Sequence, residues 1–454
     1  MMKKATLLFA LILFSFPIFA QQGMNPSFGI IANLGTDLLP DPGDPSKFES
    51  WSKIGMQPEF SIGKFGIGLD LLFRFKLGTG SNTSLEIYEP DWIPQQGQNI
   101  FDVYLPKILY IRYGQQWEDP FYVKMGSISD FSLGNGLIVD NYSNMRFLPQ
   151  RRVFGMQLGI DGSLFGFPYV GLEVLTGNVS KFDVIGGRIY VRPLAFMEES
   201  LFGRLQLAAT GVFDRDPLLY TGTPYLAQQT RLIYVVGADI TLPLIQSPAF
   251  SLTPFGEGAY EMNNAIGAIA GIKGRAFDIL SYLAQFRYLQ EGFIPSYFDA
   301  NYDIYRADRF VYIETNPAKN NFIPGWLASL GLDLFKSALS FGVILDAPFK
   351  ELPSPATDNP ADYAHIKGSL NLARGLIPNV NIAARYEKFF LGRKSNDVLK
   401  DLIDFEDSSI GMTISYKAGT AIVSMDYAYI WNPTKNSGAG AFDVVSSMSL
   451  GFEL

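Results

Sequence analysis

The chain contains one histidine, His365, and no cysteine. Catalysis through a hydroxyl nucleophile needs a base and an orienting acid or amide converging on it. Ser369 and Asn371 share the strand face of His365, four and six residues along the chain. At ~3.3 Å per residue both are beyond direct contact, so no enzymatic site is expected. Without cysteine there is no disulfide, thiolate ligand or cysteine nucleophile. No histidine pair or carboxylate spacing suggests a transition-metal site, and Asp358 with Asp362 is too few oxygens for calcium. Gly134-Asn135-Gly136 lacks the helix and Lys-Ser/Thr of a phosphate-cradling loop. A tight turn with positive φ explains those glycines better. No cofactor is expected.

The other residues able to do chemistry are charges at alternate positions. Asp70, Arg74, Arg112, Lys124, Arg188, Arg192, Asp239, Glu257, Arg287, Asp333, Arg385 and Asp426 fall on the polar face of their segments. They could line a water-filled pore and set its ion preference. Alternatively they pair across strands and fill a lumen with salt bridges. Their signs nearly balance, so no strong ion selectivity is expected. Arg188 and Arg192, with Tyr190 between them, could form a basic ladder for anionic solutes or pair with acids on neighbouring strands.

Segment 289–325 carries Tyr297, Phe298, Tyr302, Phe310 and further aromatics among Asp299, Asp303, Arg306 and Arg309. A solvated spacer would be richer in Gly, Ser and Lys, and long loops without regular structure tend to be functional. We expect Tyr297, Phe298, Asp299, Tyr302, Asp303, Arg306 and Arg309 to form a constriction in a barrel mouth; the competing arrangement is an external cap. Segment 128–152 is a second candidate, with Arg146, Arg151 and Arg152 near strand ends.

These residues are carried by a repeated period of two. Phe65, Ile67, Leu69, Leu71, Phe73 and Phe75 share one face; Gly66, Gly68, Asp70, Leu72, Arg74 and Lys76 share the other. Leu232, Tyr234, Val236, Ala238 and Ile240 oppose Arg231, Gly237, Asp239 and Thr241, and similar alternation recurs over 409–417 and 423–431. Such alternation makes strands with one apolar and one polar face. About twenty such segments follow one another, with sixteen to twenty-two as the bounds. Their connections alternate between short turns and long loops, as in a transmembrane barrel. A lipid-exposed sheet must close, because its edges would find no water. A propeller would show a repeat of ~40–50 residues, and none is present. The expected fold is an all-β, single-chain antiparallel transmembrane barrel.

The two ends fit this. Lys3 and Lys4 precede an apolar run to Ala20, which reads as a signal peptide over residues 1–20, with the barrel over 21–454. The alternative, an uncleaved anchor, suffers from a run short of ~20 clean apolar residues. Leu450, Phe452 and Leu454 alternate with Ser449, Gly451 and Glu453 at the other end. This last strand resembles that of bacterial outer-membrane barrel proteins. The Gly/Phe/Tyr-rich strands bear a general resemblance to spirochaete-type members, with no specific motif. The resemblance implies that the final strand is an assembly signal read by the barrel-assembly machinery, and that the chain resides in outer-membrane lipid. A net charge of −8 argues against a nucleic-acid partner, which needs clustered basic charge. A barrel this wide cannot be filled by wall side chains alone. The expected function is therefore a porin-like channel for passive diffusion of small hydrophilic solutes. The alternatives are a transporter binding an apolar or specific ligand at loop 289–325, and a surface adhesin or structural barrel. Solute and oligomeric state are not legible.

Overall fold

The computed structural model describes residues 27–41, 44–77, 85–116, 118–145, 152–197, 200–219, 232–356, 360–431 and 442–453. The signal peptide, Arg146, Arg151, Asp358 and Leu454 lie outside the described residues, as does the side chain of Phe452.

Alternation becomes a sheet that rolls into a ring. The chain starts with β1 (Ser27–Asp41), β2 (Asp44–Ile62), β3 (Phe65–Leu69), β4 (Leu71–Leu77), β5 (Leu85–Ile87), β6 (Ile108–Tyr113) and β7 (Phe121–Gly126). Two short strands, β8 (Phe131–Leu133) and β9 (Val139–Tyr142), stand apart from the wall. The wall resumes with β10 (Gly155–Asp161), β11 (Val170–Thr176), β12 (Val184–Val191), β13 (Gln206–Asp214), β14 (Ile233–Thr241), β15 (Ile245–Gln246), β16 (Ser251–Glu261), β17 (Ile266–Ala276) and β18 (Leu280–Gln290). After β19 (Phe298–Asp299) and a helix (Tyr302–Thr315) come β20 (Phe322–Leu334), β21 (Leu339–Pro348), β22 (Ala364–Leu372), β23 (Val380–Leu391), β24 (Ser408–Ala418), β25 (Ala421–Trp431) and β26 (Phe442–Glu453).

Twenty-three of these strands form one hydrogen-bonded sheet. β3 and β4 are halves of one stave, both paired with β2 and interrupted at Asp70. β15 continues β14 along β16, and β5 only extends β4 at the rim. Twenty staves remain, each antiparallel to its neighbours. The ring closes where β1 meets β26, from Ile31 opposite Glu453 to Asp37 opposite Ser447. Closure removes the edges that lipid could not satisfy.

The two faces of the wall are inverted relative to a soluble sandwich. Outward positions are apolar and exposed, such as Ile189 (61%) on β12 and Met448 (53%) on β26. Their inward neighbours include Arg188 (5% exposed) and Gly451, which is buried. Leu450 lies on the outward parity with Met448, and Ser449 on the inward one beside Gly35. The expected twenty segments all appear. Ahead of β6, residues Ile100–Tyr104 form a helical turn capped by Asn99, whose side chain accepts from the Phe101 and Asp102 backbone N–H groups.

Candidate functional site in the barrel lumen

The long connections β7–β10 and β18–β20 both leave the wall at the same end and turn inward. There they meet as one body. β8 and β9 form a small antiparallel pair, and β19 joins β9 in parallel, Phe298 opposite Val139 and Asp299 opposite Asp140. Gly134 (φ 65°) and Gly136 (φ 91°) supply the left-handed turn between β8 and β9.

The helix was expected to be irregular loop, and the reason for the difference is legible in its stripe. Tyr302, Arg306, Phe310 and Ile313 recur at helical spacing and are all buried. With Tyr297 and Phe298 they pack on Leu133, Ile138, Val139 and Tyr142 of the other connection. The same apolar cluster includes wall residues Leu175, Val212, Val235, Phe255 and Ile269. The inserted body is thus a plug packed against the inside of β11–β17. Two wall glycines make room for it: a Cβ on Gly237 would lie 2.8 Å from the Ile138 side chain, and one on Gly267 2.6 Å from the Phe293 ring.

Polar anchors hold the plug to the same wall. Arg306, 1% exposed, donates from Nε and Nη2 to Asp214 and from Nη1 to Asp183 at 2.8 Å. The Tyr302 hydroxyl donates to Asp214, and that of Tyr142 to Asp303 at 3.2 Å. Burial would lower the Arg306 pKa, but Asp214, Tyr302 and Asp183 outweigh it and hold the guanidinium well above its ordinary value. Burial pushes Asp303 up to about 7, against the opposing pull of Arg306. Glu257 accepts from the backbone N–H of Asn135 at 2.8 Å, tying down the β8–β9 turn. Asn301 reaches the opposite wall, donating to Glu387 at 2.9 Å.

The expected loop residues therefore enter the barrel, and most are consumed in fixing the plug. Tyr297, Phe298 and Tyr302 are 0% exposed, and Asp303 is 3% exposed. Asp299 pairs with Arg309 at 2.7 Å, and Arg309 also donates to the Tyr297 carbonyl.

Most expected lumenal charges are paired. Arg188 bridges Glu173 and Asp239 at 2.8 Å each, and Arg192 meets Asp161 at 2.7 Å. Arg74 joins Asp37 and Asp91, Arg152 joins Asp70, and Arg287 joins Asp346 at 3.2 Å. Asp333 accepts from Ser340, and Asp426 from Thr413, both at 2.7 Å. Arg112 and Lys124 stand opposite each other across β6 and β7. Arg385 is exposed on the inner parity, between Ser369 and Gly411, with no ion pair among the described residues. Leu450 holds the position described above, and the side chains of Phe452 and Leu454 are not described. His365 contacts two carboxylates, Asp346 at 2.9 Å and Glu387 at 3.3 Å, and stacks on Phe389.

Three anchors escaped the sequence reading: Asp183, Asp214 and Asp37. Parity along β13 places Asp214 inward with Thr210 and Val212, a signal that could have found it.

Opposite the plug the inner wall mixes small residues with charged ones, Asp346, His365, Lys367 and Glu387 sharing the inner parity of β21–β23. Register carries the inner row from Gly342 to Ser369, then Arg385, Gly411 and Ala428. A lower row runs Ser415, Ser424, Ser449 and Gly35. It leads into a cavity of 420 Å³ lined by Ser449, Lys53, Arg74, Asp91, Lys107 and Arg152. Lys107 donates to the Asp91 carbonyl at 2.7 Å, lies over the Trp92 ring, and is pulled down in pKa by burial.

No protein-family model matches the chain, and no curated protein matches it. Among solved structures it is similar to Acinetobacter baumannii OccAB1 (11% identity, 95% of this chain and 97% of that one, TM-score 0.33). It is also similar to Pseudomonas aeruginosa OpdL (12%, 96% and 99%, 0.34) and to P. aeruginosa OccK2 (OpdF) solved in complex with glucuronate (9%, 96% and 99%, 0.33). The twenty-stave barrel stands on its own strand register rather than on these scores.

Proposed function

We propose that this chain is an outer-membrane channel for passive diffusion of small hydrophilic solutes. In this reading residues 1–20 direct export, residues 21–454 form the barrel, the final strand addresses it to the assembly machinery, and the plug narrows the lumen. The observation that carries it is the asymmetry of the interior. The plug packs on one half of the wall, while the other half presents Gly, Ser and Thr beside the polar groups Asp346, His365, Lys367 and Glu387 and an exposed Arg385. Twenty staves enclose more space than side chains fill, and small hydroxylated walls suit hydrated solutes. An apolar ligand at loop 289–325 is disfavoured, because Tyr297, Phe298 and Tyr302 are already buried against protein.

Reconstitution in planar bilayers tests this. Steady unitary conductance is expected, rising severalfold when residues 293–324 are replaced by a short Gly-Ser linker. A silent but correctly inserted barrel would refute the channel. Equal conductance with and without the segment would refute the constriction.

A further inference from the structure

Nine connections close the barrel at the end opposite the plug loops, and they fall into two groups. Glycine takes a positive φ in five of them: Gly63 (φ 56°), Gly114 (φ 75°), Gly166 (φ 70°), Gly375 (φ 132°) and Gly419 (φ 65°). Phenylalanine takes that conformation in two others: Phe277 (φ 54°) between β17 and β18, and Phe335 (φ 54°) between β20 and β21. A bulky side chain at positive φ is disfavoured where glycine or asparagine would fit freely. Side-chain packing inside the protein offsets little of that cost, because Phe277 is 75% exposed and Phe335 67% exposed. Local strain of this kind points to a use for the side chain.

The neighbouring turns repeat the chemistry. Phe165 (77%) projects between β10 and β11, Phe196 and Phe202 between β12 and β13, and Leu376 with Ile377 between β22 and β23. The apolar turns thus occupy one continuous arc from β10 to β23. The arc underlies the wall that carries the plug and runs on beneath β20–β23. Around the rest of the ring the turns are Gly63-Lys64, Gly419-Thr420 and the 114–120 segment, which carries Gln115, Gln116, Glu118 and Asp119 beside a single aromatic, Trp117. Exposed Arg204 and Lys336 sit in the same turns as Phe202 and Phe335, with no ion pair among the described residues.

We propose that this arc docks into the phospholipid headgroup layer of the membrane leaflet on the turn side, so that the barrel sits deeper along β10–β23 than along its remaining staves. Two features select lipid as the occupant. The apolar surface continues without a break into the outward faces of the strands, through Phe250, Ile279, Phe341 and Leu370. The tips are also spread around a curve rather than gathered into one flat patch, which suits a fluid layer. Aromatic rings with flanking Lys or Arg favour an anionic interface.

The absence of cysteine allows a direct test. Single variants F165C, F277C, F335C, K64C and T420C are labelled with an environment-sensitive fluorophore. Each is inserted in phosphatidylethanolamine–phosphatidylglycerol vesicles. Blue-shifted emission, and quenching by lipids spin-labelled near the headgroup, are expected at positions 165, 277 and 335 but not at 64 and 420. S337C keeps Phe335 in place and reports the same layer if F335C assembles poorly. Insertion is verified on each sample by the heat-modifiable gel shift of the assembled barrel. A spanning barrel with all probes in water, or all equally shielded, overturns the inference. So does shielding that appears only in native membranes, which would indicate a protein partner. A chain that fails to span overturns the channel reading instead.

Discussion

Removing the Arg306 guanidinium should release the plug without unfolding the barrel. Arg306 is fully enclosed and makes charge-assisted hydrogen bonds to two acids on β12–β13 and their approaches, Asp183 and Asp214. In R306A those acids keep their desolvation cost and lose their partner. Breaking a buried pair in this way costs about 3–5 kcal/mol. At about 1.4 kcal/mol per decade, the ratio of undocked to docked plug rises by roughly two to four decades. The wall should survive, because its ladder from β10 to β14 does not use the side chain. Single-channel recording should show excursions to a larger conductance that are rare or absent in the parent, and protease should cut within the helix Tyr302–Thr315. The triple variant R306M/D183N/D214N removes the stranded charges and should recover most of the quiet behaviour. V311A, at a helix position exposed by 54%, should change nothing. If R306A matches the parent in both noise and protease resistance, the network is not what holds the plug.

Three further outcomes are expected. Leu450→Arg places a charge in lipid at a cost of about 2–4 kcal/mol near the midplane; it should abolish the heat-modifiable gel shift of the assembled barrel, whereas Ser449→Arg, on the lumenal parity, should retain it. Asp303 has its pKa raised to about 7 when docked, so docking is strongest while the carboxyl is neutral and weakens as pH rises through 7; the helix should be cut faster at pH 8 than at pH 6, and D303N should remove the difference. Arg385→Glu reverses the exposed charge on the open wall and should move the reversal potential in a potassium chloride gradient toward cation preference, an unchanged potential showing that solutes pass elsewhere.

The barrel was legible because its signal is local and repeated. Each stave needs only alternation between two turns, and twenty repetitions leave little freedom in how the sheet closes. The plug was legible only in composition. Its helix depends on Tyr302, Arg306, Phe310 and Ile313 finding a wall, and no short-range pattern names that wall. The parallel addition of β19 to β9 joins residues some 160 positions apart in sequence, which alternation cannot predict. Asp183 and Asp214 lie where β12 begins and β13 ends, so they read as turn residues until Arg306 is seen between them.

A further signal lay in the departures from alternation. On β14 the outward Tyr234 and Val236 are interleaved with inward Ile233 and Val235, both 0% exposed. A strand apolar on both faces is a strand covered on both. In a barrel one cover is lipid, so the other must be protein inside the lumen. β24 keeps strict alternation, with Ser409, Gly411, Thr413 and Ser415 inward. The plug lies against the first kind of wall and leaves the second free. The inner parity of each stave therefore records whether water or protein faces it. In the proposed channel, the same physics that fixes the strands assigns the route for solutes to β20–β26 and β1.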